Sequence, residues 1–135
     1  MDVRFFKFAA AYFMAAVMMG LAMGITRQFQ YVPVHAHIAL LGWASQALFA
    51  LFYRGFPHAA ETLLARCHLV LHNVGLPIFM IFLFLLLSGR EWAQPGVALG
   101  AIATLVATAM FVVNLFRTIG TASVATLTRQ PSLQD

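Results

Sequence analysis

The sequence predicts an all-α membrane protein, a bundle of four transmembrane helices. Three observations carry that expectation. Hydrophobic residues make up 62% of the chain and charged residues only 9%, whereas soluble domains carry about 25% charged residues. A soluble domain of this size could not hide so much apolar surface. Four apolar stretches each approach the roughly 20 residues that a helix needs to cross a hydrocarbon core about 30 Å thick. The alternating strands of about ten residues that a closed β-barrel requires are missing from the sequence.

Span one is expected over residues 5–25. It follows the Met1-Asp2-Val3-Arg4 opening and carries one charge, Lys7. At about 21 residues it exceeds the roughly 7–15 of a signal peptide's apolar region, so it reads as a retained span. Span two is expected over 34–53, starting just after Pro33. Span three has its apolar core over 67–87, with an interfacial turn or two from Ala59, and Pro77 should kink it near Asn73. Span four is expected over 97–116. Residues 1–118 thus form one transmembrane domain, and residues 119–135 read as a short tail. Two Gly-x-x-x-Gly patterns, Gly20 to Gly24 and Gly96 to Gly100, offer small surfaces for close helix contact, within the chain or between chains.

The formal net charge is +4 and the pI is near 10. The cations stand singly around the spans, which points to topology and lipid contact, not to nucleic acid. Arg4, Lys7, Arg54, Arg66, Arg117 and Arg129 fall on one side, and Arg27 and Arg90 on the other. The positive-inside rule therefore predicts cytoplasmic N- and C-termini. Trp92, Tyr31 and Tyr53 fall at span ends, as an aromatic belt requires. The single cysteine, Cys67, excludes an intrachain disulfide and a cysteine zinc site. No carboxylate lies well inside a span, and no phosphate loop or nucleophile elbow occurs.

Histidines carry the chemistry. His35 and His37 stand at the mouth of span two, and an intramembrane imidazole is a functional-site hypothesis by default. Successive helical residues turn by about 100°, so these two rings point roughly 200° apart and suit two partners better than one small ion. The bland alternative is hydration at the headgroup level. His68 and His72 share a face of span three at i, i+4, a spacing that suits one metal ion. The bland alternative there is an interfacial His68 and a His72 bonded to Asn73, Asn114 or Gln46. The two pairs are expected roughly 20 Å apart along the membrane normal and so in different sites. Trp43, Phe49, Phe52, Phe79 and Met80 could wall a cofactor pocket or simply pack. The absence of Cys-x-x-Cys-His excludes covalently attached c-type heme. His58, beside Pro57 and near Glu61, is expected to be solvated.

The run Pro33-Val34-His35-Ala36-His37-Ile38-Ala39-Leu40-Leu41-Gly42-Trp43 resembles the tenth helix of the catalytic subunit of heme–copper oxidases and nitric oxide reductases, above all the cbb-type branch. The likeness is specific from His35 to Trp43. In that family a His-x-His pair near the outer surface binds two hemes, one on each face. The resemblance implies that His35 matches the ligand of the high-spin heme and His37 that of the low-spin heme. The family subunit has twelve spans in three arcs of four, and this chain is one arc long. The resemblance therefore implies a homotrimer that rebuilds a twelve-helix ring, closed cyclic symmetry being the usual solution for homo-oligomers. It also implies a bacterial inner membrane. The family's copper ligands and crosslinked His-Tyr pair have no evident counterpart, which argues against oxygen reduction by this chain alone.

The expected function is a heme-b-binding membrane protein acting in electron transfer or in binding a diatomic gas (O2 or NO). His37, His35, His72 and Trp43 are the candidate cofactor residues, and His37, His35, His72 and His68 the candidate metal ligands. A second expectation is a copper- or zinc-binding protein or oxidase assembly factor without heme, since imidazole suits both metals. A third is a structural membrane subunit whose histidines bond between helices.

Overall fold

The computed structural model describes residues 1–128, and these are helical throughout apart from short connections, with no strand among them. Helix α1 spans Asp2–Thr26. Helix α2 spans Phe29–Gly55. A short helix, α3, spans Pro57–Ala60. Helix α4 spans Leu63–Leu87. Helix α5 spans Gln94–Thr128, after a 3-10 turn at Glu91–Ala93. Four helices are long and apolar enough to cross a membrane, which makes this a multi-pass membrane protein.

Local chemistry sets the ends. Arg27 closes α1 in the left-handed conformation at φ 55°, the usual device for freeing a helix C-terminus. Pro33 sits in the first turn of the α-helical segment Val32–His37, which follows a 3-10 turn at Phe29–Tyr31, and Pro57 in the first turn of α3, where the missing N–H costs nothing. The Thr62 hydroxyl caps α4 by accepting from the Ala65 N–H at 3.1 Å. Helix α4 thus starts at Leu63, between the two starting points the sequence offers, and α3 accounts for the interfacial turn. The helix runs unbroken through Pro77, and the neighbouring Asn73 amide donates to the Leu69 carbonyl at 2.8 Å. Helix α5 continues ten residues past 118, where the sequence suggests a tail, to Thr128. Arg129, one of the cations used for orientation, lies outside the described residues.

Helix α2 is not uniform. Its middle, Ile38–Ala44, is a π-helix. Such wide turns are rare and occur often at functional sites. Gly42 lies in it, and a Cβ there would sit 2.6 Å from the Tyr12 ring of α1. The glycine is what lets α1 and the wide turn touch.

The helices pack as two hairpins, α1 with α2 and α4 with α5, the second contact being the more extensive. The second Gly-x-x-x-Gly pattern serves this intrachain contact. A Cβ at Gly100 would run into the Phe79 backbone, and one at Gly96 into the Phe82 ring. The first pattern divides: Gly20 lies against the His35 ring, and Gly24 faces open space.

Two buried clusters lie at different heights. Near the end that carries Tyr31, Val34, Leu76 and Met80 pack together. Near the end that carries Arg54, Phe5, Phe49, Ala50, Tyr53, Ala59, Ala65 and Leu69 do so. These are called the Tyr31 end and the Arg54 end below. Outward faces are apolar: Met18, Leu21, Leu63, Val70, Ile81, Ile102 and Leu105 are each about 60% exposed or more. In water that would be a costly surface, and in a bilayer it is the lipid contact.

Candidate functional site

Five histidines divide into three environments. His58 lies exposed on α3, beside a cavity at the Arg54 end that Asn114 and Arg117 also line. The other four form the two pairs seen in the sequence.

At the Tyr31 end, His35 and His37 belong to the helical turn Val32–His37, just ahead of the π segment. Both are half-buried. His35 turns toward α1, where its Cε1 would lie 3.1 Å from a Cβ at Gly20. Its Nδ1 is buried and has no partner. His37 turns away, toward α4, with the edge of its ring on Phe79 at a centroid distance of 5.1 Å. Its Nδ1–H donates to the Pro33 carbonyl at 2.7 Å. A backbone carbonyl can only accept, so a neutral His37 carries its proton on Nδ1 and presents Nε2 as a bare acceptor. Histidines that ligate metals are almost always held this way, the second ring nitrogen fixed by a carbonyl or carboxylate. Tyr31 braces the same end: its hydroxyl bonds Ser88 Oγ at 3.0 Å and its ring stacks on Phe84.

An apolar cavity of about 350 Å3 opens on this half, lined by Met19, Val34, Ile38, Met80, Ile81, Phe84 and Leu85. Neither histidine lines it. Trp43 lies on another face, 43% exposed and packed on Phe13 at 4.8 Å. The structure therefore does not gather Trp43 with His37.

Toward the Arg54 end, His68 and His72 are both fully buried. Their rings lie 5.7 Å apart and nearly perpendicular. Phe49 packs edge-on against both, and Phe5 and Phe111 cover His68. His68 is thus enclosed by protein on all sides. Its Nδ1 bonds the Tyr53 hydroxyl at 3.1 Å. His72 takes none of the side-chain partners the sequence suggests. Its Nε2–H donates instead to the Leu41 carbonyl in the π segment, at 3.1 Å. Asn114 donates elsewhere, to the Ala59 carbonyl at 2.9 Å. Among the described residues no group of three or more His, Cys, Asp or Glu side chains gathers into a metal cage.

Two residues matter here that the sequence leaves in minor roles. Tyr53 reads as part of an aromatic belt, but it is 2% exposed and bonded to His68. Gln46 is fully buried, with neither amide atom partnered. A signal existed: Gly42, Gln46, Phe49 and Tyr53 recur at helical spacing and are all buried. Polar members of an otherwise apolar stripe belong to the interior.

Compared with known proteins, the chain matches no family model, no curated protein and no solved structure.

Proposed function

We propose that this multi-pass membrane protein binds heme b through His37, and that it serves electron transfer or the binding of a diatomic gas. The observation that carries the reading is the His37 ring: Nδ1–H is tied to the Pro33 carbonyl and Nε2 is left bare beside Phe79. His37 would hold a b-type heme, with Phe79 beside it, because such a group asks for an imidazole nitrogen and apolar, aromatic surroundings. Bound heme would supply an iron able to change valence or to take a gas molecule. The chain's own part is to fix the imidazole tautomer and orientation, to wall one side with Phe79, and to exclude water with the apolar residues of α4.

His37 is only half-buried in the single chain, and one chain would offer part of a pocket. A homotrimer, with a neighbour closing the open side, completes the reading. Closed cyclic assemblies are the common solution for identical chains. The positive-inside count favours the Arg54 end in the cytoplasm, which would place His37 near the outer face of a bacterial inner membrane.

The test is a reduced-minus-oxidised spectrum and a pyridine hemochrome assay on protein purified in mild detergent. The expected result is a sharp Soret band with heme b, abolished in His37→Ala while the protein remains folded by circular dichroism. A colourless wild type after heme supplementation ends the proposal. Native mass spectrometry that finds only single chains removes the trimer.

A further inference from the structure

The sealed polar cluster toward the Arg54 end poses a separate problem. Five buried side-chain atoms there lack partners: Gln46 Oε1 and Nε2, His68 Nε2, His72 Nδ1 and Asn73 Oδ1. Gln46, His68 and His72 are fully buried. An unpaired polar atom in a low-dielectric interior is expensive. In folded proteins such atoms are ordinarily met by ordered water, each molecule making about three hydrogen bonds.

The tautomers say what the missing partner must do. The Leu41 carbonyl only accepts, so His72 Nε2 carries the proton and a neutral His72 leaves Nδ1 as a bare acceptor. That nitrogen needs a donor. His68 Nδ1 is taken by the Tyr53 hydroxyl, so its remaining need is on Nε2. If Tyr53 donates, His68 Nε2–H needs an acceptor; if Tyr53 accepts, the bare Nε2 needs a donor. Only a species that both donates and accepts serves the pair in either case. Gln46 lies on the buried stripe of α2 between Leu41, which His72 bonds, and Phe49, which touches both rings. Its amide offers one acceptor and one donor group, both buried and unpartnered.

We propose that this cluster is a binding site for internal water, with at least one molecule bridging His68 Nε2 and His72 Nδ1 and Gln46 as a further partner. Tyr53, His68, water and His72 then form one hydrogen-bonded chain, which ends on the Leu41 carbonyl. A divalent cation fits less well. The donors on offer are neutral, and a dication among them would keep its full charge in the membrane interior. This inference does not depend on heme.

The test is magic-angle-spinning NMR of the full chain, labelled with 15N-histidine, in lipid bilayers. The expected spectrum shows His72 protonated on Nε2 alone and polarisation passing from bound water to His68 Nε2 and His72 Nδ1. His72→Leu should weaken the water signal at His68 several-fold. Absence of water transfer to either nitrogen in the wild type overturns the proposal. So does a coordination shift at His72 Nδ1 with about one metal ion per chain by elemental analysis. The wild-type measurement decides the matter even if His72→Leu fails to fold.

Discussion

At the Tyr31 end, His35 and His37 are half-buried, and one nitrogen of a neutral His37 stays bare. Toward the Arg54 end, His68 and His72 are walled by Phe5, Phe49 and Phe111 and have no exposed surface. The residue type is the same and the covalent chemistry identical. What differs is how the backbone presents the ring. The i, i+2 spacing sends His35 and His37 to opposite sides of α2, one into α1 and one toward Phe79. The i, i+4 spacing of His68 and His72 stacks both on the buried face of α4. One pair is only partly covered, His35 against α1 and His37 against Phe79. The other is placed to hold the bundle together around a small polar interior.

That contrast predicts separable behaviour. Phe49→Ala should have the largest effect on stability. The ring touches Phe5, His68, His72 and Phe111, and deleting a buried aromatic costs about 3–5 kcal/mol. Thermal unfolding in detergent should show it, while heme per folded chain stays at the wild-type level. A fall in heme per folded chain would mean that the two halves are coupled.

Tyr53→Phe comes next. It keeps the ring stacked on Phe5 and removes the hydroxyl that His68 bonds. The expected cost is about 1–3 kcal/mol, that of leaving a buried donor or acceptor unmet. Unchanged thermal stability would show that the hydroxyl bond contributes nothing to the sealed half.

His35→Ala should act in the opposite sense. The half-buried ring contributes little packing, so stability should fall by no more than about 1 kcal/mol. If the proposed heme is bound, its Soret band should shift or weaken, because the second imidazole of the His-x-His pair is gone. An unaltered spectrum would assign the heme to His37 without its neighbour.

The smallest effects come from the first small-residue pattern. Gly20→Ala places a Cβ 3.1 Å from His35 Cε1 and should nudge that ring by a few tenths of an ångström, visible in the spectrum and barely in stability. Gly24→Ala meets nothing within 4 Å and should stay within about 0.5 kcal/mol of wild type. A large loss of oligomer in Gly24→Ala would instead mark that face of α1 as a contact between chains.

Composition and run length were enough to specify four membrane-crossing helices, because the bilayer imposes one length and permits one backbone solution for such sequences. Intramembrane imidazoles could likewise be found by inspection, since polar atoms in an apolar run stand out. Helical spacing also separated the His35 and His37 rings correctly, because neighbours along one helix obey a fixed angle.

Partners across helices were beyond reach. Nothing local says that His72 bonds the Leu41 carbonyl, 31 residues away. Nor does anything local say that Tyr53 is buried against His68, or that Gly100 lies on the Phe79 backbone. The π segment at Ile38–Ala44 is another such case, since α1 and α4 engage it from two sides through Tyr12 and His72. Spacing along one helix is set by covalent geometry, and so the sequence determined it. Contacts between helices depend on which surfaces fit when all four pack at once, and only the tertiary structure decided those.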